Sequence, residues 1–138
     1  MGCYNSAVIS APADEVWATM RNFHDLSWAT DVITSVEADG EPTQPGAKRV
    51  LNGAFSETLL TVDDESRTLQ YSIDDGPDAV SRENVQGYIG KVQVFPVTAD
   101  NTAFVLWSSS WVSGGEGAQE LCDPIYRALL ASLAAHHA

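Results

Sequence analysis

Positive charge is scarce in this chain. Of 138 residues only Lys48 and Lys91 are lysines, and seven Lys and Arg stand against nineteen Asp and Glu, for a formal net charge of −12. A surface of that sign repels phosphate backbones and anionic lipid headgroups, which argues against nucleic acid and membrane surfaces as partners. Cysteine is nearly as rare: Cys3 and Cys122 fall in a strand-like stretch and on an apolar helical face, and read as free buried thiols. No His or Cys spacing points to a metal or a disulfide framework. Long apolar runs are missing too, so neither a signal peptide nor a membrane span is expected and the cytoplasm is the default location. No cofactor fingerprint is present. The glycine run at 114–117 lacks the Lys-Ser/Thr ending of a phosphate loop and contains Glu116, so it reads as a hinge. No serine has a nucleophile-elbow context. One short motif points elsewhere: Gly2, Cys3 and Ser6 fit an N-myristoylation pattern, with Cys3 placed for a second lipid.

What is present is organised around the end of the chain. In 116–137, Leu121, Cys122, Ile125, Tyr126, Leu129, Leu130 and Leu133 recur at helical spacing, with Glu120, Asp123, Arg127 and Ala131 opposite. Pro124 inside that stretch predicts a kink, or a second helix start capped by Asp123. Residues 14–22 form the other helical stretch, opened by Pro12 and the acids Asp14 and Glu15, with Val16, Trp17, Met20 and Phe23 on one stripe. A brief second helix is expected within 24–31. Between the helices the period changes to that of strands, at 3–10, 32–38, 47–52, 56–62, 68–73, 83–97 and 102–112. Short turns separate them, including 63–67 and 74–78. Gly87 and Gly90 interrupt the longest run, where bending is expected. Consecutive strands with short turns predict an antiparallel meander, in one domain spanning 1–138.

With this layout the chain resembles the SRPBCC, or START-like, superfamily, which includes polyketide cyclases and dehydrases. The resemblance is carried by Ala11 to Trp17, Phe23, Gly46 with Arg49, Ser56 to Leu59, Asp63 to Ile73, Tyr88, Val105 to Trp107, and Tyr126 with Leu130 and Leu133. It implies an α+β helix-grip fold: a curved antiparallel sheet of about seven strands around a long C-terminal helix, with two short helices after the first strand. An internal cavity between sheet and helix is implied as well, usually for a hydrophobic molecule. The family pattern turns the Trp107 face inward, and alternation then aligns Val105, Ser109 and Trp111 with it. The same alternation turns Leu69, Tyr71 and Ile73 inward, and Tyr88 with Gln86, Gly90 and Val92. Glu57 and Leu59 join them, opposite Leu121, Ile125 and Leu129. Trp28 falls at the cavity mouth or in the core of the short helix. The gate sequence of the related plant hormone receptors is absent, replaced by Asn52-Gly53-Ala54-Phe55, and Thr30 stands where they carry a ligand-holding lysine.

The polar residues in this set are the informative ones. An inward Glu57 has a raised pKa unless Arg49 or a tyrosine holds it, which makes it a candidate general acid or base; the alternative is a structural ion pair with Arg49. Tyr71 and Tyr88 are candidate proton donors to a ligand carbonyl. Tryptophans at 107 and 111 share one strand face and suit either ordinary core or, as four tryptophans in so small a chain favour, a wide aromatic-walled pocket. Three functions stay open: binding of a hydrophobic or aromatic small molecule, cyclase, dehydratase or lyase chemistry in the same cavity, or a protein-interaction module with the cavity filled. A monomer is expected, or a weak homodimer through Leu106 and Val112.

Overall fold

The computed structural model describes Met1–Ala138. In strand β1 (Gly2–Ile9) Cys3 and Ile9 are fully buried while Tyr4 and Val8 project to solvent, the period of two of a strand with one face on the core. Helix α1 (Ala13–Met20) buries Ala13, Val16, Trp17 and Met20 and carries Asp14 and Glu15 in its first turn. The Trp17 indole donates to Asp64 Oδ1 at 2.8 Å, and Arg21 holds both oxygens of the same carboxylate, at 2.9 and 3.0 Å. These contacts tie α1 to a distant turn. Of the second short helix only a 3-10 turn forms, at Ser27–Ala29.

Five further strands lead away from it: β2 (Val36–Asp39), β3 (Lys48–Leu51), β4 (Phe55–Asp63), β5 (Thr68–Asp75) and the two-residue β6 (Val85–Gln86). β7 (Ile89–Val97), β8 (Thr102–Ser110) and the short β9 (Ser113–Gly114) follow. The main sheet has seven strands in the order β1-β8-β7-β5-β4-β3-β2, all antiparallel, and β6 pairs with β9 apart from it. Its concave face receives helix α2 (Ala118–His136), which packs most closely along β1. Cys122, Tyr126, Leu129, Leu130 and Leu133 are the large buried side chains of that helix. No helix is long and apolar enough to cross a membrane.

Three expectations are corrected. The strand read over 32–38 begins only at Val36, because the Asn52 side chain captures the preceding backbone. Its Oδ1 accepts from the Thr34 and Ser35 N–H groups and its Nδ2 donates to the Val32 carbonyl. The run read over 83–97 is two strands: Gly87 adopts φ +70, turning Gln86 out to solvent before Tyr88 returns to the core. α2 runs as one helix through Pro124, so the second helix start does not occur. Pro124 lies on its exposed side, and Asp123 accepts from Asn5 Nδ2 at 2.9 Å without starting a second helix.

Gly90 has a different role from the bending inferred for it. It faces Tyr71 across β5 and β7, and a Cβ there would stand 2.2 Å from Tyr71 Cζ. The missing side chain is thus space that the phenol ring fills. Gly90→Ala is expected to destabilise the protein by roughly 1–3 kcal/mol through overpacking, read from urea unfolding midpoints. An unchanged midpoint would mean that the Tyr71 ring is free to move aside.

Candidate functional site

Arg49 on β3 and Glu57 on β4 are direct cross-strand partners, and both are buried. Burying a carboxylate is costly without a partner, and here the partner arrives in an unusual way. Arg49 Nε and Nη2 both converge on Glu57 Oε1, each at 2.8 Å. Nη1 donates to the Phe23 carbonyl at 2.9 Å, and the guanidinium lies 3.8 Å from the Phe23 ring centroid. Glu57 Oε2 receives no hydrogen bond from the protein and is not sealed from solvent, and the Glu57 side chain lines the adjacent cavity.

That cavity has a volume of about 110 Å³ and lies between sheet and α2. Arg49, Glu57, Tyr71, Ile73, Trp107, Ile125 and Leu129 all line it. The other side chains assigned to it lie elsewhere. Leu59 is fully buried in the core, and Leu121 is half-buried on the helix flank. Trp28 borders a separate space of about 10 Å³, no larger than one water molecule, and its indole donates to the Asp25 carbonyl at 3.0 Å. Ser109 Oγ accepts from the Cys3 N–H. Tyr88 and Trp111 stack on each other at 5.5 Å, outside the cavity. The wide aromatic pocket is therefore a narrower one, with Trp107 its only tryptophan.

Sequence reading missed Val32, Ile33, Leu51, Asn52, Phe55, Cys122 and Tyr126, which complete the lining. Half-buried Val32, Phe55 and Ile125 with exposed Asn52 form the outer rim. For Cys122 and Tyr126 the signal was present in the apolar helical stripe; for Val32 and Ile33 no local pattern carried it.

The tyrosine hydroxyls are occupied with one another. Trp107 Nε1 donates to Tyr71 OH at 3.0 Å, Tyr71 OH donates to Tyr126 OH at 3.3 Å, and Tyr126 shares a short hydrogen bond with Tyr88 OH. Burial raises the pKa of all three tyrosines, and the Glu57 charge adds to the effect at Tyr71, so they stay protonated at neutral pH. The Cys122 thiol is likewise pushed up by burial and lines the cavity as a neutral group. Burial also raises the Glu57 carboxyl above its ordinary 4.5, the Arg49 charge and hydrogen bond only partly opposing it. Of the three acid–base candidates, only Glu57 presents an atom free to meet a ligand.

A family model described as polyketide cyclase / dehydrase and lipid transport matches residues 3–138. A solved protein from Nitrosospira multiformis is 43% identical, with a TM-score of 0.95 over 100% of this chain and 97% of that one. Ginseng major latex-like protein 151 from Panax ginseng shares the fold at 16% identity and a TM-score of 0.77, over 99% of this chain and 97% of that one. Norcoclaurine synthase from Thalictrum flavum shares it at 14% and 0.74, over 98% and 84%. No curated protein matches in sequence.

A carbon-detected NMR titration of the Glu57 carboxyl is expected to give a midpoint above 4.5, and Arg49→Met to move it higher still. Because the folded value exceeds the unfolded one, the stability Glu57 contributes is fully present below pH 4.5 and is lost as pH rises through the folded midpoint. Arg49→Met should also destabilise by about 3 kcal/mol, since it strands a buried carboxylate. A midpoint at or below 4.5 would show Arg49 outweighing burial.

Proposed function

The chain belongs to the polyketide cyclase / dehydrase and lipid transport family, and from that premise we propose that it binds a hydrophobic or aromatic small molecule between sheet and α2. The observation that carries this reading is the cavity itself, about 110 Å³ of apolar-walled space with one polar corner. An apolar cavity of roughly 150 Å³ is enough to admit benzene, whereas drug-sized ligands need about 300 Å³ or more. In this conformation the fit is therefore to a compact molecule. Open volume also weighs against an interaction module whose interior is filled by its own side chains.

A second reading, acid–base catalysis in the same cavity, has one observation in its favour. Glu57 combines a raised pKa with an oxygen open to the cavity, as a general acid or base requires. The tyrosines do not add to this, since their hydroxyls are engaged with each other.

Native mass spectrometry of protein from its own host, followed by extraction, is expected to release a discrete apolar molecule. Ile125→Trp, which fills the cavity from its rim, should weaken calorimetric binding of that molecule about tenfold or more, near 1.4 kcal/mol. Unchanged affinity in the variant would place the ligand outside this cavity and end the reading.

A further inference from the structure

We infer that the cavity selects a neutral, single-ring molecule carrying a hydroxyl, which donates its proton to Glu57 Oε2. The inference rests on the binding reading above and specifies what is bound. Two arginine–carboxylate pairs in this protein make the key contrast. On the surface, Arg21 closes its fork over both oxygens of Asp64. In the interior, Arg49 brings Nε and Nη2 each to 2.8 Å from Oε1, Nε through a hydrogen bond. The second oxygen has no hydrogen-bond partner in the protein.

Every other polar side chain on the lining is already committed. Arg49 Nη1 serves the Phe23 carbonyl, and Asn52 spends its amide on the backbone of residues 32–35. Trp107, Tyr71 and Tyr126 form a hydrogen-bonded chain among themselves. Cys122 is a weak donor at best. The cavity therefore offers one strong acceptor, and what satisfies it is a donor on the ligand.

Charge narrows the class further. Arg49 and Glu57 cancel, so a ligand ion of either sign would enter low-dielectric space without a counter-charge of its own. A carboxylate would also meet Oε2 head-on. Volume sets the upper limit: about 110 Å³, below the roughly 150 Å³ that admits benzene, leaves room for no more than one ring, and that with some yielding of Ile125 and Leu129 of α2, its apolar cover. Phenols and small cyclic alcohols meet all three conditions.

The test compares phenol, its isostere toluene, and benzoate, titrated by calorimetry against the unmodified protein and Glu57→Gln. Phenol is expected to bind the unmodified protein about tenfold more tightly than toluene, the usual worth of a hydrogen bond to a charged acceptor, and to shift the Glu57 carboxyl carbon resonance. Benzoate should show no binding. In Glu57→Gln the phenol advantage should fall below about threefold, as a neutral acceptor replaces a charged one. Equal affinity for toluene and phenol in the unmodified protein would overturn the inference while leaving apolar binding intact. So would tight binding confined to larger apolar molecules. If neither ring-sized nor larger apolar molecules bind, the functional reading itself fails. The comparison within the unmodified protein needs no variant to fold.

Discussion

The interior is arranged around one buried charge pair. Arg49 and Glu57 join β3 to β4, and the Arg49 bond to the Phe23 carbonyl holds the chain that follows α1 against the same strands. Phe23 then covers the guanidinium, where a desolvated cation on a ring adds about 2 kcal/mol. Tyr71 approaches from β5, its ring centroid 5.4 Å from the guanidinium carbon. Losing either charge would leave the other stranded, so these elements are mutually committed. The cavity follows from this arrangement, with the pair as its polar corner and α2 as its apolar side.

Much of this was legible because it is local and periodic. The 3.6-residue stripe from Leu121 to Leu133 marks α2, and the alternation of Leu69, Tyr71 and Ile73 marks β5 and its inward face. The link between Glu57 and Arg49 could be weighed because a carboxylate on an inward face must find a partner. What alternation does not encode is depth. Leu59, Tyr88 and Trp111 are all buried, the last two stacked on each other, so they pack the core and stay off the cavity. Asn52 was unreadable for another reason: its side chain acts on backbone some twenty residues away, and no sequence window contains both.

Aromatic content misled in the same direction. Tryptophans were read as walls of a wide pocket and tyrosines as proton donors to a ligand, yet aromatic rings also attract one another. Trp107 stacks on Tyr126, Trp111 on Tyr88, and the Tyr71 phenol occupies the space that Gly90 leaves. Their hydroxyls satisfy each other in a chain, which removes them from ligand recognition and fixes the rings in place. Only Trp111 Nε1 remains buried without a partner. A narrow cavity is thus what the aromatic residues produce when they pack first against themselves.

A core selected for stability alone would close the Arg49 fork over both oxygens, as the surface pair at Asp64 does. Leaving Oε2 without a protein partner weakens the hold on the ionised carboxylate, and burial separately raises the Glu57 pKa. On the binding reading, that deficit becomes selectivity. A molecule that donates to Oε2 recovers the missing bond, and one of equal size and shape that lacks the donor does not. Because such a ligand binds only the folded chain, it also stabilises the fold in proportion to its concentration. One carboxylate oxygen without a protein partner thereby connects the stability of the fold to the identity of what fills its cavity.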